Sequence, residues 1–102
     1  MSEIIPAILE KDFSEIKNKL TALREYVKCA HIDICDGAAV PSMTWPFASG
    51  GFEDFDFQKI LNEEEGMPLW EEFDFEFDLM VEGAINNFDL YMKLGPKRII
   101  FH

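Results

Sequence analysis

The sequence predicts a mainly parallel α/β sheet covered by helices on one side, the architecture of half a (β/α) barrel. Short apolar strands alternate with helical stretches, and each connection is long enough for a right-handed crossover between parallel strands. The second and third strands are apolar on one side and acidic on the other, whereas strands of an open doubly wound sheet, covered on both faces, read apolar on both. A closed barrel takes about 250 residues and eight units. The 102 residues here hold four strands and three helices, and one domain over 1–102 is expected.

The first strand is the apolar run Ile4 to Leu9, interrupted by Pro6. Asp12-Phe13-Ser14-Glu15 then reads as a helix N-cap with an acid at its third position. Phe13, Ile16, Leu20, Leu23 and Val27 recur every three or four residues, which predicts a helix ending near Lys28. Cys29 to Gly37 is a second strand: Ala30, Ile32 and Ile34 alternate with His31, Asp33 and Cys35, and Asp36-Gly37 closes it. Ala38 to Gly51, with two prolines and two glycines, is a long loop of the kind that often carries function. Met43-Thr44-Trp45 within it is read as packing against a neighbouring chain rather than as a lid over a substrate.

A second helix is expected from about Phe55 to Glu65, ended by Gly66 and Pro68, with Glu63-Glu64-Glu65 as its solvated end. Phe73, Phe75, Phe77, Leu79 and Val81 face one way on the third strand, opposite Asp74, Glu76, Asp78 and Met80. Glu76 and Asp78 are balanced between a site and a solvated edge. A third helix, Asn86 to Leu94, stops at Gly95-Pro96, and Arg98 to His102 is the fourth strand.

Composition excludes several functions. Twenty acids against nine Lys and Arg give a net charge of -11, which leaves no basic patch for nucleic acid or an anionic membrane surface. No apolar run approaches the roughly 20 residues of a membrane span, and no basic segment precedes an apolar one as in a secretory signal. Ten Phe and a hydrophobic fraction of 48% argue for a packed core. Cys29 and Cys35 have neither the number nor the spacing of a disulfide framework, so reduced thiols and a cytoplasmic location are expected.

His31-x-Asp33 places an imidazole and a carboxylate on one strand face about 6.6 Å apart, and a parallel third strand in register would bring Asp78 beside them. The plainer reading of His31 is a hydrogen bond to a neighbouring strand. The order of the blocks adds to this. Ile5-Pro6-Ala7-Ile8-Leu9 with Asp12-Phe13, His31-Ile32-Asp33-Ile34-Cys35-Asp36-Gly37, Val40-Pro41-Ser42 with Thr44, Asp78-Leu79-Met80-Val81-Glu82 and Arg98-Ile99-Ile100-Phe101-His102 resemble, in sequence, the N-terminal half of the ribulose-phosphate 3-epimerase family. That resemblance implies a TIM-type barrel and the metal-dependent interconversion of ribulose 5-phosphate and xylulose 5-phosphate. It implies His31, Asp33 and Asp78 as ligands of a divalent cation (Zn, Fe, Mn or Co), Asp33 also as the catalytic proton-transfer group, and Ala7, Met80 and His102 as substrate-lining positions.

Departures from the family pattern accompany the match. Ala7 stands where the resemblance implies a serine, Asp78 where it implies a histidine, Cys35 in place of a methionine, Ala39 in place of an aromatic, and Gly83-Ala84 in place of Asn-Pro. The resemblance places the second catalytic aspartate and the phosphate-binding loops in a later half that these residues do not include. The expectation is therefore a truncated epimerase-like chain, inactive alone and completed by self-association as a homodimer or higher assembly, with a phosphosugar as its small-molecule partner. A non-catalytic oligomerising half-barrel module, and an aldolase- or isomerase-like activity on another phosphosugar, are the rival readings.

Overall fold

The computed structural model describes residues 5–101. The Leu23 carbonyl accepts from the N–H groups of both Tyr26 and Val27, at 2.9 and 3.1 Å, and this tight turn ends the first helix well before Lys28. Helix α1 thus spans Phe13–Leu23, while Val27 still packs against the core. Its N-cap is as the sequence predicts: the Asp12 carboxylate accepts from the Glu15 N–H at 2.9 Å.

Four strands, β1 (Ala7–Ile8), β2 (Cys29–Cys35), β3 (Asp74–Met80) and β4 (Arg98–Phe101), form one parallel sheet in the order β1-β2-β3-β4. Helices α2 (Phe55–Leu61) and α3 (Phe88–Met92) complete the crossovers, with single 3-10 turns at Phe47–Ser49, Gly51–Glu53 and Ile85–Asn87. This is an α/β half-barrel of TIM type. Among the described residues, β1 and β4 each have one edge without a partner strand.

Helix α2 stops short of Glu65 because Glu63 takes a left-handed φ of 61° and the Glu64 N–H folds back onto the Lys59 carbonyl. Glu63 and Glu64 are exposed as expected, but Glu65 is half-buried with a side-chain oxygen out of solvent. Helix α3 is shorter than the Asn86 to Leu94 pattern suggests: its first turn is the 3-10 turn, and Gly95, at φ 74°, takes the left-handed position that ends it.

Alternation sorts the sheet into two faces. Ile8, Ile32, Ile34, Phe75, Phe77 and Leu79 point to one side, where they join Ile16 and Leu20 of α1, Phe57 and Ile60 of α2, and Tyr91 of α3 in a single core cluster. The loop after β2 contributes Trp45, which is fully buried with its ring 5.2 Å from that of Phe13 and 5.7 Å from that of Phe57. Met43 stays exposed, while Thr44 and Trp45 are buried within this chain's own fold rather than held out for a neighbouring chain. No helix among the described residues is long and apolar enough to cross a membrane. Among the described residues, neither Cys29 nor Cys35 forms a disulfide.

Candidate metal centre on the open face

Side chains of the opposite sheet face are set by register. Ala7, His31, Glu76 and Arg98 lie side by side across the four strands, and Asp33, Asp78 and Ile100 form the next row. Cys35 and Met80 follow, side by side at the carboxyl ends of β2 and β3. Ala7 and Met80 therefore share the face with His31 and Asp33, while His102 lies outside the described residues.

The strand offset brings three donors together. His31 Nε2 is 3.0 Å from Asp33 Oδ1 and 3.6 Å from Asp78 Oδ2, and one ligand atom from each residue falls within 4.8 Å of the others. Two donors about 2.0–2.2 Å from one cation can be at most roughly 4.4 Å apart, so small side-chain rotations are enough for all three to share an ion. The donor chemistry fits a divalent cation: one imidazole and two carboxylates. In-register carboxylates on neighbouring strands repel each other, and a cation would remove that penalty.

His31, Asp33, Glu76 and Asp78 are only 20, 12, 15 and 17% exposed, so they belong to the sheet interior rather than to a solvated edge. Glu76 was legible in the Asp74-Glu76-Asp78 alternation but had no assigned partner. Its Oε1 lies 3.4 Å from His31 Nδ1, and its Oε2 lies 3.9 Å from an Arg98 guanidinium nitrogen. The two ring nitrogens of His31 are thus divided between Glu76 on one side and the Asp33/Asp78 pair on the other.

Two polar residues to which the sequence reading gave no site role fix the rim of the site. Thr44 Oγ1 accepts from the Cys35 N–H at 2.9 Å and donates to the Asp33 carbonyl at 2.7 Å, tying the loop to the strand that carries the site. Asp36 accepts from the N–H groups of Ala38 and Ala39 and, across the sheet end, from that of Glu82 at 2.9 Å. Burial works against the Asp36 carboxylate, but these backbone donors outweigh it and hold the group below the usual carboxylate range. Cys35 is the reverse case: burial dominates over the opposing influence of the Thr44 hydroxyl, and with Asp33, Asp78 and Asp36 nearby its thiol is pushed up.

A cleft of about 540 Å³ opens beside this rim, lined by Leu9, Lys11, Pro41, Ser42, Met43, Thr44 and Ala48. It does not contain the ligand cluster, and Thr44 links the two. The chain matches the model of the Ribulose-phosphate 3 epimerase family over residues 3–102. It belongs to that family. No curated protein matches the chain. The family is generally metal-dependent, which agrees with the His/Asp/Asp grouping on the open face of this epimerase-family sheet.

Proposed function

We propose that this chain is a ribulose-phosphate 3-epimerase-like half-site in which His31, Asp33 and Asp78 hold a divalent cation and Asp33 transfers the substrate proton. The observation that carries this reading is the convergence of those three side chains on one face of a sheet that matches the family throughout its described length. A cation held there would supply Lewis acidity to a substrate oxygen beside the carbon that loses its proton. Asp33 is 3.0 Å from the imidazole that would orient it, with its backbone carbonyl fixed by Thr44. Ala7 and Met80, on the same face, border the space for a phosphosugar, and His102 is retained as a third lining position on the resemblance alone.

Epimerisation removes a proton from one face of a carbon and returns it to the other. Asp33, Glu76 and Asp78 all project from one face of one sheet, on adjacent strands, so they reach a bound substrate from a single side. Among the described residues, Lys11 is the one cationic residue lining the neighbouring cleft, a poor provision for a phosphate. The 102-residue chain by itself is therefore expected not to invert ribulose 5-phosphate.

Proton NMR of ribulose 5-phosphate in deuterated water with Zn²⁺ tests this. The expected outcome is slow deuterium incorporation at C3 without xylulose 5-phosphate, abolished by Asp33→Asn. Formation of xylulose 5-phosphate by this chain would refute the one-sided site. Bound Zn²⁺ with no exchange would favour the second reading, a non-catalytic module that acts through assembly.

That second reading draws on the unpaired edges of β1 and β4 and on exposed Ile5, Leu9, Phe88, Met92 and Phe101. A second copy could pair these edges into an eight-stranded ring. Sedimentation showing a well-folded monomer at micromolar concentration removes it. A cytoplasmic setting, consistent with cysteines that form no disulfide and with a soluble phosphosugar, completes the proposal.

A further inference from the structure

Glu76 has no role in the ligand set, yet it makes the contact that decides how His31 can serve it. A histidine can donate a lone pair from only one ring nitrogen while the other carries the proton, and whatever accepts that proton fixes both the tautomer and the ring plane. In this structure the acceptor is on the neighbouring strand at the same level: His31 and Glu76 are register partners. Glu76 Oε1 stands 3.4 Å from Nδ1, with hydrogen-bonding geometry, while Nε2 faces Asp33 and Asp78.

The carboxylate is itself held. Its second oxygen faces the guanidinium of Arg98, its register partner on β4, at 3.9 Å. Both Glu76 and His31 are mostly shielded from water, so their interaction is less screened than that of a surface pair, whereas Arg98 is largely exposed and adds a weaker restraint. The row Arg98, Glu76, His31 thus runs across three adjacent strands and ends at the ligand cluster.

We propose that Glu76 is a positioning residue for the metal centre: it accepts the Nδ1 proton of His31 and so presents Nε2, beside Asp33 and Asp78, as the ligand nitrogen. This rests on the metal-site reading above. Glu76 is not a ligand in this assignment, because its oxygen faces the nitrogen on the other side of the ring.

The experiment compares the 102-residue chain with Glu76→Ala and Glu76→Gln, using Zn²⁺ alone as the probe. The Gln amide oxygen can still accept the Nδ1 proton, so it retains the orienting contact without the charge. Zn²⁺ affinity is expected to fall on the order of 10–100-fold in Glu76→Ala and to recover most of that loss in Glu76→Gln. Long-range ¹H–¹⁵N correlations of the Zn²⁺-loaded wild type should put the metal on Nε2 and the proton on Nδ1. Affinity unchanged in Glu76→Ala, metal on Nδ1, or a Gln variant as weak as Asp78→Asn would overturn the assignment, the last by making Glu76 a ligand.

A metal-free arm separates the two proposals. The side-chain coupling constants of His31 should report one rotamer in the wild type and averaging in Glu76→Ala, with Glu76→Gln restoring the single rotamer. If this pattern holds but Zn²⁺ does not bind, the metal site fails and the positioning contact stands. If His31 already averages in the wild type, or stays fixed in Glu76→Ala, the positioning role fails whatever the metal does.

Discussion

The two faces of β2 and β3 are built from the same fourteen residues and obey opposite rules. On one, Ile32, Ile34, Phe75, Phe77 and Leu79 are at most 2% exposed and meet every helix. On the other, His31, Asp33, Glu76 and Asp78 crowd together, with like charges in register. A sheet can hold such a cluster because the apolar face alone supports the fold. Stability and chemistry are therefore separable by alternate residues, and each prediction below probes that separation.

The largest effect is expected from Phe77→Ala. Phe77 is fully buried, with its ring 6.0 Å from that of Phe75, and truncation of such a ring costs about 3–5 kcal/mol. Against a domain stability of roughly 5–15 kcal/mol, that brings the chain close to unfolding. Its neighbour Asp78→Asn on the open face should shift stability by less than about 1 kcal/mol, because it removes a cross-strand repulsion as well as a contact, while weakening cation binding. Urea titration of both variants checks the pair, and a Phe77→Ala loss no larger than that of Asp78→Asn would break the distinction between faces.

Acids that enter the packed side should behave unlike those on the open face. Asp54 is 7% exposed and caps α2 by accepting from the Phe57 N–H at 2.8 Å, while also accepting from Trp45 Nε1 at 3.0 Å and Ser49 Oγ at 2.7 Å. Asp54→Ala removes the cap and leaves the buried indole N–H without its acceptor, a combined loss of about 2–4 kcal/mol. Thermal unfolding should show this, and near-ultraviolet circular dichroism should report a loosened Trp45.

These cases show what could be read from the chain and what could not. The strand alternation of β2 and β3 and the Asp12 cap were legible because they are local: period-two burial and an acid three residues before an orphan N–H need no knowledge of the rest of the fold. The joining of Asp78 to His31 and Asp33 was legible only on condition that β2 and β3 paired in register, which the structure satisfies. The partnership of Glu76 with His31 depends on that same long-range register, so the alternation alone left it undecided. Helix ends were missed for a related reason. The stripe through Val27 continues in burial after Leu23, although the backbone has already turned, and nothing in Glu63-Glu64-Glu65 announces that Glu63 takes a left-handed conformation.

Acid titration should separate Asp36 at the rim from the cluster beneath it. Its carboxyl lies below the ordinary value of 3.8 in the folded chain, so it contributes stability that is present above that value and lost as pH falls through the lower, folded one. Asp36→Asn should remove this part of the acid dependence and cost about 1–2 kcal/mol at neutral pH, because the amide group cannot accept from both ends of the turn and from Glu82. The check is urea unfolding of both chains from pH 7 to pH 3. A wild-type loss of stability on acidification that is just as steep in Asp36→Asn would assign that loss to other carboxylates.

The smallest effect is expected at Glu65, and it has the opposite sign. Burial raises its carboxyl above 4.5, and Asp56, by charge and by a side-chain hydrogen bond, raises it further against the weaker pull of Lys59. A carboxyl raised on folding favours the folded state most when protonated, so its contribution is fully present below the unfolded value and declines as pH rises through the folded one. At neutral pH the ionised Glu65 is therefore a liability placed on the packed side beside another acid. Glu65→Gln should raise the thermal midpoint at pH 7 by a few degrees, with a gain of about 0.5 kcal/mol that disappears near pH 4. An equal gain at both pH values would show that the charge is not what Glu65 costs, and that this side of the molecule tolerates an acid as readily as the face that holds His31 and Asp33.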